Sequence, residues 1–225
     1  MAYPTFVAEG GFTQDILDIT PSLPAGWQPG DLFFAQVETD DQPVAAPAGW
    51  SEIAAFTFAA SCRLQIITRV AQVGDTNPTF VDAGDHQGCT ISAFRGVQSW
   101  TVGSSNSGSD ASIEVLSMNT TRDNALVLWC LGHGRDSTTD HFSNYVNANL
   151  SNITEVVNAS GAQGNGGGVG LVTSQLALAG ATGQSTTDGI QATAWVSGHI
   201  ALYGPLSSSR VPIPQTIGQQ GGMRW

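Results

Sequence analysis

Residues 30–37, Gly30-Asp31-Leu32-Phe33-Phe34-Ala35-Gln36-Val37, decide the fold together with residues 123–131, Asp123-Asn124-Ala125-Leu126-Val127-Leu128-Trp129-Cys130-Leu131. Each stretch is a turn signal followed by a short, almost wholly apolar run of strand length. The segments downstream of the two runs also match in order and chemistry. The first run leads to Ala48–Ile53, then Cys62–Ala71, then Cys89–Val97; the second leads to Ser151–Val156, Gly168–Ala177 and Val196–Gly204. Residue identities mostly differ, but the doubling predicts two related halves that complete one β-sandwich.

Helix signals are poor throughout. Apolar runs are rich in β-branched and aromatic residues, and breakers recur between them, with 27 glycines in 225 residues. Leu64, Ile66, Thr68 and Val70 alternate with Arg63, Gln65, Ile67 and Arg69, the period of a strand. The expected fold is therefore all-β, a jelly-roll-like antiparallel sandwich over residues 1–205. Its halves span about 1–100 and 112–205, with 96–111, rich in Ser and Gly, as the connector. Residues 206–225 alternate Pro with apolar residues and cannot form a core, so they read as an extended C-terminal arm. Arg210, Val211, Ile213, Ile217, Arg224 and Trp225 are its candidate anchoring side chains. The two halves drift in spacing mainly at Gly132–Leu150, an enlarged loop, and such loops on a rigid scaffold are where recognition tends to sit.

Charged residues make up only 11%, about half the ordinary share. All seven basic residues are Arg, Lys is absent, and net charge is −11. Scattered single arginines among acids make no phosphate-tracking groove and would be repelled by an anionic lipid surface, so neither nucleic acid nor membrane is an expected partner. The N-terminal residues lack a basic stretch followed by an apolar one, so no signal peptide is expected. Cys62, Cys89 and Cys130 are too widely spaced for a metal motif and read as small buried hydrophobes. A Cys62–Cys89 bridge or an intermolecular one remains the alternative.

No catalytic, cofactor or metal site is expected. His86, His133, His141 and His199 read as surface or packing residues, with His133 at a loop tip. Glu52 and Glu155 occupy matched positions, which duplication explains better than paired-carboxylate chemistry. Gly161–Gly170 lacks the Lys-Ser/Thr ending of a phosphate loop and reads as a flexible hairpin. Trp27 and Trp50 share the context Pro-Ala-Gly-Trp and are expected to plug the end of the sandwich. A candidate ligand loop comprises Trp100, His133, Asp136, Asp140, His141 and Tyr145.

Pro-Ala-Gly-Trp, Gly30-Asp31-Leu32, Ala48-Gly49-Trp50, Leu64–Ala71, Gly74-Asp75 and Ala93-Phe94-Arg95-Gly96-Val97, in that order, resemble a group of structural proteins of tailed bacteriophages. The similarity covers about residues 20–100 and, more loosely, 113–204. It implies a β-sandwich virion component, such as a head decoration protein, fibre, or tail or collar appendage. Such a subunit is made in the host cytoplasm and resides in the virion, with copies of itself and other virion proteins as partners. It would be non-enzymatic. The alternative role is a receptor-binding module for a host surface glycan.

Overall fold

The computed structural model describes residues 2–206 other than Ala83 and Asp140. The expected anchoring residues Arg210, Val211, Ile213, Ile217, Arg224 and Trp225 lie outside that range. Among the described residues every regular element is a strand. The first half contributes β1 (Thr5–Glu9), β2 (Thr13–Asp15), β3 (Leu32–Thr39), β4 (Ser51–Phe58), β5 (Cys62–Val70) and β6 (Gln87–Arg95). The second contributes β7 (Ser99–Gly108), β8 (Ser112–Val115), β9 (Ala125–His133), β10 (Phe142–Val146), β11 (Ser151–Gly161), β12 (Gly167–Leu176), β13 (Ser185–Gly189) and β14 (Trp195–Tyr203).

The first sheet runs β1-β6-β3-β5-β4, with β2 also on β6; the second runs β7-β14-β9-β12-β11. Strand for strand this is one antiparallel pattern used twice. Leu32 lies between Phe94 and Val70, and Leu126 lies between Leu202 and the β12 strand in the same way. The repetition extends to irregularities. The register of β4 against β5 shifts between Glu52 and Ala54, and that of β11 against β12 between Glu155 and Val157. An isolated bridge Ile19–Phe80 in one half has its counterpart in Asn119–Ala181. A bulge re-aims the strand it interrupts, so its presence at matched positions gives both edge strands the same bend.

The two sheets face each other across a shared core. Leu32, Phe34, Leu64, Ile66 and Phe94 from one meet Leu126, Leu128, Val169, Leu171 and Leu202 from the other. β3, β6, β9 and β14 are buried on both faces, apart from Arg95 at the end of β6, which explains their nearly continuous apolar runs. Their outer faces form two further clusters. One is Phe33, Ala35, Ile67 and Ile91, covered by loops bearing Trp27, Trp50 and Phe80. The other is Val127, Trp129, Val172 and Tyr203, covered partly by the small sheet β10-β13-β8.

Two expectations change. Each of the two facing sheets is built from a single half, whereas a jelly roll sends successive strands to opposing sheets, so the sandwich has a different winding. Residues 96–111 are no mere connector, because Ser99–Gly108 forms the edge strand β7 on β14. A ladder needs only backbone groups, so a Ser- and Gly-rich run can join when a neighbour offers an edge. The cysteines are buried as expected: Cys62 belongs to the shared core and Cys89 to the outer one, on opposite sides of their sheet, so the alternative Cys62–Cys89 bridge is absent and all three thiols are free.

Candidate functional site

Polar chemistry concentrates in two places. The first is buried where the halves meet at the ends of β3 and β9. Glu38 is fully buried on the shared face of β3, and its carboxylate lies 3.0 Å from Nε2 of the buried His86. Burial pushes the Glu38 carboxyl up to about 7, against the pull of His86. Burial opposes charge on His86 too, but the hydrogen bond and charge of Glu38, with Asp85 adding, hold its pKa above the ordinary value. Asp85 lies 3.5 Å from His86 Nδ1, outside hydrogen-bonding geometry.

The glycine-dense hairpin of the second half closes over this pair. A β-carbon on Gly167 would fall 1.8 Å from a Glu38 carboxylate oxygen, and one on Gly164 would fall 2.6 Å from the Asp85 carbonyl oxygen. The expected flexible hairpin is therefore a fitted lid whose glycines permit close approach. Strands continue to Gly161 and resume at Gly167, leaving only a short turn.

His133 ends β9 with no exposure and is no loop tip. Its ring stacks on His141 at 4.0 Å, and its Nε2 lies 2.8 Å from Ser160 Oγ. Burial, with His141 and Arg135 adding, pushes His133 down to about 2; burial and Arg135 push His141 down to about 4. His199 is likewise held neutral at about 4 by burial, even though a backbone carbonyl acts in the other direction. Its Nδ1 donates to the Leu116 carbonyl at 2.9 Å and its Nε2 accepts from Ser185 Oγ at 3.0 Å. Both Ser–His contacts have the reach of a nucleophile and its base. Imidazoles held neutral this far below pH 7 are weak bases, and Ser185 is itself fully buried. Packing, rather than exposure, is the role of all four histidines.

The expected ligand loop does not converge. His133 and His141 meet, and Asp136 packs beside Gly166. Tyr145 instead donates to Glu155 at 2.5 Å and packs edge-on to Trp129. Trp100 pairs with Leu202 at the opposite end of the sheet from His133. Asp140 lies outside the described residues. Glu52 and Glu155 are indeed register-matched, and each accepts a side-chain hydrogen bond, Glu52 from Gln65 and Glu155 from Tyr145 and Asn158.

The second polar place is exposed, on the outer face of the first sheet. Trp27 and Trp50 do not plug the end of the sandwich. They flank Phe33, Trp27 edge-on at 5.2 Å and Trp50 stacked at 5.9 Å. Each comes directly after a glycine at positive φ, Gly26 and Gly49. Beside each stands an arginine–aspartate pair, Arg95–Asp31 and Arg69–Asp75, with shortest contacts of 2.8 and 2.7 Å. Both aspartates close the same turn. Asp31 accepts from the Gln28 amide and Asp75 from the Gln72 amide, each at 2.8 Å. This local duplication is visible as Gln28-Pro29-Gly30-Asp31 and Gln72-Val73-Gly74-Asp75, a repeat shorter than the one that organises the chain. The Trp50 side opens a cleft of ≈ 190 Å³ lined by Trp50, Arg69, Asp75, Thr76 and Asn77. Among the described residues no group of three or more His, Cys, Asp or Glu is placed to hold a metal ion.

In comparisons with known proteins, no protein family, curated protein or solved structure matches the chain.

Proposed function

We propose that the protein is a non-enzymatic structural subunit of a tailed-bacteriophage-type virion that assembles with copies of itself. The observation that carries this reading is a pair of long edge strands. β7 and β11 are ten and eleven residues long and form the two edges of one sheet. Long edge strands present unpaired backbone groups, and packing on sister subunits is one way to cover them. The buried, neutral histidines favour a structural part over a hydrolase. A surface without lysine and with net charge −11 suits a particle exterior rather than a nucleic-acid contact. Anchoring is assigned to Arg210–Trp225. Sedimentation of the full chain tests self-assembly, and labelling of intact particles tests location. A stable monomer absent from particles overturns the reading. Normal incorporation of a chain ending at Pro205 removes the arm from it.

A second reading, a receptor-binding appendage that recognises a surface glycan, has one observation in its favour: the aromatic and polar cleft beside Trp50.

A further inference from the structure

We propose that the Trp50 cleft is a binding site for one ring of a neutral saccharide, an inference that rests on the receptor-binding reading. Three features of the cleft point to that ligand. The first is aromatic. Trp50 is partly exposed; it stacks on Phe33, meets Phe80 at an angle, and is one of the residues that line the cleft. Indoles supply a rigid apolar surface with little entropy to lose, which suits the C–H face of a pyranose.

The second is polar. Arg69 and Asp75 are joined by three short contacts, Nε to both carboxylate oxygens at 3.2 and 3.1 Å and Nη2 to Oδ1 at 2.7 Å. Asp75 also accepts from the Gln72 amide. The pair is thus held in place before any ligand arrives. A β-carbon on Gly49 would fall 1.9 Å from Arg69 Nη1, so the glycine of the Trp50 turn is what lets the guanidinium reach this position. Fixed donors and acceptors beside the exposed Thr76 and Asn77 match the alternating hydroxyls of a sugar.

The third is size and charge. At ≈ 190 Å³ the cleft is smaller than ordinary small-molecule pockets, which begin at about 300 Å³, so it accepts a single ring. Asp75 compensates Arg69, and the chain carries −11, which disfavours an anionic sugar. Trp27 provides the built-in contrast, since it flanks the same Phe33 but does not border this cleft.

Saturation-transfer NMR on the full chain tests this, using the methyl glycosides of mannose, galactose, glucose and N-acetylglucosamine. Glucuronic acid and N-acetylneuraminic acid form the anionic arm. The expected result is transfer from at least one neutral glycoside, with Kd on the order of 1–10 mM for so small a contact. Trp50→Ala should weaken it about tenfold or more, while Trp27→Ala should leave it within about threefold. Because Trp50 also covers Phe33, Thr76→Trp supplies an independent block at an exposed position and should abolish transfer. Undiminished transfer in Thr76→Trp, preference for the acids, or silence from every neutral glycoside overturns the proposal. In that last case a glycan array separates the two ideas. Array binding keeps the receptor reading with its site elsewhere, and a blank array ends both.

Discussion

The outer faces of the two halves solve one problem differently. In the first half Phe33 is clamped between Trp27 and Trp50, both carried on turns. In the second the large ring is on the strand itself. Trp129 occupies the place that Ala35 holds in β3, lies near the small β10-β13-β8 sheet, and donates to Ser174 at 2.9 Å. The ion pair Arg95–Asp31 has no counterpart, because Tyr203 and Ala125 stand at the matched positions. Tyr203 instead accepts from the Thr121 amide. Inner faces had less freedom. They meet across one core, so leucine, isoleucine, valine and phenylalanine recur at matched positions there. A core shared by two sheets couples their volumes, whereas an outer face answers only to its own cover.

The contrast is sharpest at the two tryptophan sites. Trp129→Ala should cost about 3–5 kcal/mol, since it empties a fully buried volume and leaves Ser174 short of a donor. Trp27→Ala, on a partly exposed turn, should cost clearly less. Denaturant unfolding of both variants decides it, and equal costs would show that the turns are as integral as the strand.

Titration separates the halves next. His133, His141 and His199, all of the second half, are held below 6.5 in the folded chain. Their contribution is full above about pH 6.5 and is lost as pH falls, because the unfolded chain takes up protons that the folded one refuses. Glu38, of the first half, acts in the opposite sense. Its folded pKa of about 7 exceeds 4.5, so its contribution is full below 4.5 and lost as pH rises through 7. Three histidines against one carboxylate leave a net uptake of about two protons on unfolding, or about 3 kcal/mol per pH unit between roughly pH 6 and 4.5. Stability measured against pH should therefore fall on acidification; a flat profile would mean the histidines are hydrated.

Glu38→Gln should isolate the first-half term. The variant loses the carboxylate whose burial disfavours high pH, so its stability relative to the parent should increase from pH 5 to pH 8, by up to about 3 kcal/mol. No change with pH in that difference would place the proton elsewhere. The smallest effect concerns the turns before β3 and β9. Gly30 and Asn124 both have positive φ, and their amides bond Ala71 and Ala177 in the same way. Gly30→Asn should then cost under about 1 kcal/mol, while Gly30→Val should cost more, because only Gly and Asn enter this backbone region readily.

Strand positions were largely readable in the chain. The run around Leu64 carries the strand period, and the two apolar runs that mark the repeat fall on β3 and β9. β7 is hard to read because Trp100-Thr101-Val102 is followed by the Gly- and Ser-rich run Gly103–Gly108, which joins the ladder only because β14 offers its edge. The candidate ligand loop joins Trp100 to residues between 133 and 145, and the fold separates Trp100 and Tyr145 from the stacked His133 and His141. Trp100 lies at the far end of its sheet, and Tyr145 is engaged by Glu155. The Trp50 cleft is not legible in the sequence, because Trp50, Arg69 and Asp75 come from three separate segments. Only the second occurrence of Gln-x-Gly-Asp hinted that two such turns exist.

By itself, then, the order of residues determined the class of fold and its doubling, because strand periodicity and turn residues are local properties. Which side chains meet was decided only by tertiary structure. Glu38 and His86 are far apart in the chain, and the Gly164–Gly167 lid above them comes from the other half. Such contacts depend on how two sheets register across a core, and pairing register is set by the whole assembly of strands rather than by any one segment.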